Sequence, residues 1–396
     1  MRLLASSVVA AVLFGLASAT APIRSHSPAA AYFITNEVSG NYVVAGSISN
    51  TGSLTLSTAT STGGKGSHNN GTGPDPFFSQ GAVATSQLTS YLATVNAGSN
   101  TVSLFFINPL DPTHLEMIGS PVSSGGEYPI AVAFSPLGDN LCVLNGGAKN
   151  GVQCYQACFS GLIPIANSKR SLGLAQTTPP NGPPGTASTL VFTDDGKYLI
   201  AATKGMPGFL AVWDVESDGS LSSSFTKVAV PSGGGLPFSL NQIPGTKAFV
   251  ASDPASGYDV IDIADSTKSA SYAIEGQAAS CWSARSQKTG NYYVVDAGTA
   301  TLNEVHVDSN LKASLVKQYA YANGTTPLDA DVASLNNTDY LYQLMVGTMQ
   351  VGVVSLPAAG QGKVIQTVDI SAFASNNSIT VSSDHLAGMA TYISLF

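Results

Sequence analysis

A strand–turn–strand unit recurs along this chain, and that recurrence restricts the fold more than any other feature. It is plainest in the second hundred residues. Tyr128-Pro129-Ile130-Ala131-Val132-Ala133-Phe134 reads as a strand, Ser135-Pro136-Leu137-Gly138-Asp139 as a turn, and Asn140 to Asn145 as the returning strand. A glycine turn and Val152-Gln153-Cys154-Tyr155-Gln156 follow. The next unit repeats the pattern: Thr189-Leu190-Val191-Phe192, the turn Thr193-Asp194-Asp195-Gly196, Lys197 to Ala202, a glycine turn, then Phe209-Leu210-Ala211-Val212-Trp213. Alternating apolar residues bounded by Asp-Gly or Gly-Asp turns mark each strand. The first strand of each unit begins near Ser79, Pro129, Ala187, Pro237, Cys281, Asp331 and Leu386. Seven starts at a period of ~50 residues predict an all-β, seven-bladed β-propeller of four-stranded blades.

The ends of the chain complete the pattern. Residues 31–36, 41–49 and 53–60 read as three strands without a first, and 386–394 as a first strand without successors. One blade is therefore expected to combine three N-terminal strands with one C-terminal strand. Such a closure leaves no open inner edge, which predicts a monomer. Two separate β-sandwiches would need a linker, and no such run divides the chain. The Pro-rich stretch 177–184 fits a loop between blades.

Composition agrees with this class. Charged residues are 10% of the chain, against roughly 25% in ordinary soluble domains. That excludes a coiled coil or helical repeat. A net charge of −8 lacks the basic footprint of a nucleic-acid binder. An apolar content of 44% excludes disorder.

Met1-Arg2, the apolar run to Leu16 and the small residues Ala17-Ser18-Ala19 predict a signal peptide over 1–19. A single secreted propeller domain over 20–396 then follows. The apolar run is shorter than the ~20 residues a membrane span needs, so no membrane partner is expected. An oxidising route favours disulfides for the four cysteines. Cys142 and Cys154 fall opposite each other across a hairpin, which leaves Cys158 to pair with Cys281. Sequons at Asn70, Asn323, Asn336 and Asn376 lie in polar stretches that read as surface loops carrying glycans.

The phrase Tyr91-Leu92-Ala93-Thr94-Val95-Asn96-Ala97-Gly98-Ser99-Asn100-Thr101-Val102-Ser103-Leu104-Phe105 resembles a blade motif of the 6-phosphogluconolactonase-like family, as does Pro129 to Phe134 with its Gly138-Asp139 turn. That family includes the fungal carboxymuconate cyclases. Thr35-Asn36-Glu37-Val38-Ser39-Gly40-Asn41 and the run from Gly73 to Val83 are similar to a secreted fungal branch of it. The resemblance implies a seven-bladed propeller without a dedicated metal or cofactor. It implies lactone hydrolysis or lactonisation of muconate-like acids.

Function has to be read from the site. Loops joining each outer strand to the next inner strand share a face with the turns between second and third strands. A lactonase needs a base for water and a donor for the carbonyl oxyanion. His68 and His385 are the expected acid–base residues, with Glu127 and Asp75 orienting them or sharing the proton. Lys204, Asn96, Asn145 and Arg285 are the expected substrate-binding residues. In the body of the chain only Arg170 and Arg285 are arginines, so the arginine cluster suited to a phosphosugar is missing. The alternative function is a non-catalytic, secreted or wall-associated propeller that holds a small ligand or glycan.

Overall fold

The computed structural model describes residues 28–205 and 207–395; the expected signal peptide lies outside them. Among the described residues the strands form seven antiparallel sheets arranged as the blades of a propeller. The inner strands of blades 1 to 6 are Val83–Ser86, Pro129–Phe134, Ala187–Phe192, Asn241–Gln242, Ser280–Arg285 and Pro327–Leu335. The seventh blade is the mixed one. Its inner strand, Ala387–Ile393, pairs with Ala29–Ile34, which is followed outward by Tyr42–Ile48 and Leu54–Ser61. The closure expected from the sequence is therefore the one observed.

Burial explains the scarcity of charge. Ala29–Ile34, Tyr91–Asn96 and Ala248–Asp253 are buried at every position because neighbouring blades cover both faces. Among the strands, exposure is greatest at the rim, as in the outer strands Ala313–Ala320 and Lys363–Asp369. The outer strand is split in blades 1 and 2. Val122–Ser123 and Arg170–Ser171 each add a short second segment beside the third strand.

Among the described residues one α-helix interrupts the β pattern. Ile370–Asn377 is capped by the Asp369 carboxylate, which accepts from Ala372 N at 3.0 Å. Asn376 therefore lies in a helix rather than in the loop expected of it, because this cap starts a helix in the connection between blades 6 and 7. All four sequon asparagines are exposed.

Cys142 and Cys154 are directly opposed in the register of adjacent strands and form a disulfide. The second expected pairing does not form, and Cys158 and Cys281 are free thiols. Cys158 ends the third strand of blade 2, on the face opposite the loops, whereas Cys281 lies near the start of the inner strand of blade 5. The thickness of the propeller separates them.

Candidate functional site at the channel mouth

The mouth is built by a repeated device. The last paired residue of a second strand is polar in most blades, and its side chain holds the loop that enters from the preceding blade. Asp253 accepts from Gly235 N at 2.7 Å and from Leu236 N at 3.0 Å. Asp296 accepts from Ala278 N at 2.8 Å and Ala279 N at 2.9 Å.

Asn96 and Asn145 occupy this same position, and Asn96 is not free for the substrate-binding role expected of it. The Asn96 carboxamide oxygen accepts from Thr62 Oγ1 at 2.6 Å and Asn41 Nδ2 at 3.1 Å, and its nitrogen donates to Ser103 and Thr101. No hydrogen-bonding group is left for a substrate. Asn145 donates to Ser124 O at 2.9 Å and borders a separate cleft beside Lys149 and Arg170.

The residue after the latch points toward the mouth. At this position blades 3, 4 and 5 present Lys204, Pro254 and Ala297, and all three line one cavity of about 520 Å³. The long loop between blades 7 and 1 forms its far wall with Pro74, Asp75 and Phe78. Glycine makes that crossing possible. A Cβ on Gly66 would lie 1.8 Å from Asn36 O, and one on Gly98 would lie 2.1 Å from Gly66 O. The loop then enters the channel. Gln80 donates to Ser283 O at 2.9 Å and accepts from Ser283 N at 3.0 Å, while Ser79 Oγ donates to Ile130 O at 2.9 Å.

Asp75 and Lys204 share this cavity. The Asp75 carboxylate accepts from Phe78 N at 2.8 Å and Phe77 N at 3.3 Å. Desolvation dominates its ionisation and raises its pKa to about 6, against the opposing field of Lys204. Lys204 is almost wholly buried. Its ammonium donates to the Phe78 carbonyl and to Ala187 O at 3.4 Å, and lies 4.4 Å from the centre of the Phe238 ring. Desolvation lowers its pKa to about 7, with Asp75 acting in the opposite sense. Burial pushes the neighbouring Cys281 thiol well up. Three lining residues other than glycine hold a left-handed backbone: Asp75 (φ 80°), Phe78 (φ 55°) and Thr326 (φ 43°). Such conformations are strained and concentrate at ligand sites.

The two expected histidines do approach, with ring centroids 5.8 Å apart. Their partners differ. Both ring nitrogens of His68 face carbonyls of its own loop, Asn69 O at 2.9 Å and Gly73 O at 2.8 Å. His68 thus braces the loop that carries Asp75 and has no nitrogen free for water. His385 Nδ1 meets Glu37 Oε2 at 2.9 Å. Glu37 lies in the turn between the strands Ala29–Ile34 and Tyr42–Ile48 of blade 7. The sequence reading gives Glu37 no role, because nothing in its local pattern marks it as a partner of a histidine 348 residues away.

Glu127 and Arg285 lie elsewhere. Glu127 forms an ion pair with Lys149 at 2.8 Å and accepts from Thr178 Oγ1 at 2.7 Å at the rim. The hydrogen bond from Lys149 holds its carboxyl below the usual range. Arg285 ends its inner strand, on the face away from the mouth, with its guanidinium 6.0 Å from the centre of the Tyr292 ring. The sequence reading also left out Asp329, an inner-strand residue that accepts from Gly388 N at 3.0 Å. Burial raises its carboxyl to about 7. No group of three or more His, Cys, Asp or Glu suited to a metal ion occurs among the described residues. No described helix is long and apolar enough to cross a membrane.

No protein-family model and no curated protein sequence matches the chain. Solved structures do match its fold. A candidate 6-phosphogluconolactonase of Bacteroides fragilis superposes with a TM-score of 0.64 at 15% identity, over 94% of this chain and 99% of that one. The periplasmic gluconolactonase of Pseudomonas aeruginosa gives 0.63 at 16% identity, over 87% and 97%. A protein of Lactobacillus plantarum gives 0.64 at 14% identity, over 92% and 99%. The chain shares with them the fold of a seven-bladed propeller.

Proposed function

We propose that the mouth cavity opens a small lactone by hydrolysis. The observation that carries this reading is the Asp75–Lys204 pair. A carboxyl raised toward neutrality and an ammonium lowered toward it face one cavity with apolar walls. In this scheme Asp75 takes a proton from water as the water oxygen bonds to the lactone carbonyl carbon. Two of the three ammonium hydrogens of Lys204 go to the Phe78 and Ala187 carbonyls. The third meets the oxyanion. When the ring C–O bond breaks, the departing oxygen takes a proton from Lys204, and the proton held by Asp75 then passes to the neutral Lys204 amine, which restores both groups. Water and lactone become one hydroxy acid. Solved propellers of the same fold that are named as lactonases support the reading.

A second reading, a propeller that holds a ligand without turning it over, is favoured by the histidines, since His68 is consumed by its own loop. Titrating acid release from a panel of lactones separates the two. Asp75→Asn and Lys204→Met should each lower kcat by about 10²-fold or more. Binding without acid release by the unaltered protein would establish the second reading. We further propose that 1–19 directs secretion, that the four exposed sequons carry glycans, and that the closed ring acts as a monomer.

A further inference from the structure

Resting on the lactone-opening reading, we infer that the substrate of this cavity is apolar and uncharged: an aryl- or alkyl-substituted lactone rather than a sugar lactone. The walls are Phe78, Leu236, Phe238, Pro254, Trp282 and Leu328. Phe238 and Trp282 meet edge to face with centroids 4.9 Å apart, which presents an aromatic corner to the ligand. Among the described lining residues, polar side-chain groups are confined to Asp75, Lys204, Thr326, the thiol of Cys281 and the indole N–H of Trp282.

Most of that polar capacity is already engaged. Asp75 Oδ1 receives two backbone amides, Lys204 gives two hydrogens to carbonyls, and the indole N–H of Trp282 donates to Ser79 O at 3.2 Å. The hydroxyls of a hexonolactone would leave water for a wall that cannot replace their hydrogen bonds. A phosphate or carboxylate is disfavoured for a different reason. Lys204 is the sole cation among the described lining residues, and Asp75 shares the cavity with it. Both described arginines lie away, Arg170 on backbone carbonyls of residues 169, 221 and 222 and Arg285 against Tyr292. The volume of about 520 Å³ suits a bicyclic ring or a short alkyl chain.

The test uses the full chain with dihydrocoumarin and δ-decalactone against D-glucono-1,5-lactone and its 6-phosphate. The expected result is a kcat/KM at least about 10²-fold higher for the apolar pair. Ala278→Arg, which sets a guanidinium on the exposed rim, should shift preference toward a carboxylated lactone by about tenfold or more. Equal or faster turnover of the sugar lactones overturns the inference and leaves lactone opening intact. If no lactone is opened, calorimetry with the hydrolysis-resistant lactam of dihydrocoumarin decides. Binding of the lactam but not of gluconolactam keeps the apolar cavity and removes the catalytic reading. Absence of lactam binding overturns the inference.

Discussion

At the scale of single residues, side-chain direction at the mouth turns on a shift of one position. Asn96 and Asn145 end their second strands and are latches, whereas Lys204 lies one residue past the end of its strand and reaches the cavity. A strand-end polar residue and its successor look alike in sequence, so Lys204 and Asp75 were legible as mouth residues but not as partners. Arg285 fails by strand polarity, since the sixth residue of an inner strand lies a full strand length from the mouth. The Asp75–Lys204 assignment makes a pH prediction. Activity requires ionised Asp75 and protonated Lys204, so kcat/KM should rise with pH through about 6 and fall through about 7. A pH–rate profile of Asp75→Asn should lose the acid limb along with most of the rate. An unchanged acid limb in that variant would assign the base elsewhere.

At the scale of elements, hairpins were legible because both partners lie within one repeat. The Cys142–Cys154 bridge follows from that locality, and Cys158–Cys281 failed because it joined blades whose relative placement the repeat does not encode. Replacing Cys142 and Cys154 together by Ala should lower stability by about 2–3 kcal/mol, as expected for a closed loop of this size. Denaturant unfolding should show a lower midpoint. The loop between blades 7 and 1 was legible only as polar sequence, because its path depends on non-local bonds to blades 2, 3 and 5. Gln80→Ala removes a reciprocal pair of hydrogen bonds with Ser283 and leaves buried groups unpaired. A loss of about 1–3 kcal/mol is expected. Limited proteolysis should find earlier cleavage within 62–82 if Gln80 anchors the loop, and the wild-type pattern if it does not.

For the whole molecule, blade count and ring closure were legible because a period survives sequence drift that erases individual contacts. The interior acids were not, since their effect depends on what surrounds them. Burial raises Asp75 to about 6, Asp329 to about 7 and Asp259 to about 8, where the field of Asp253 adds to desolvation. The Asp259 carboxyl is buried, with the Ser256 and Ser271 hydroxyls and Asp253 as its polar neighbours. Each of these acids binds its proton more tightly folded than unfolded. Their stabilising contribution is therefore complete below about pH 4 and is lost as pH rises through 6 to 8. Lys204 has the opposite sign and restores stability above about 7. The melting temperature should be several degrees higher at pH 5 than at pH 8, and Asp259→Asn should flatten that slope. A melting temperature that rises over this interval would show that these acids are not buried as described.

The closing blade sets an order on how the protein can be made. Ala29–Ile34 emerges early in synthesis, yet its inner partner, Ala387–Ile393, is the last described strand to be translated. Throughout elongation the nascent chain carries an unpaired strand edge that six completed blades cannot cover. A ribosome that stalls late would release a protein that is nearly all present but has an adhesive seam.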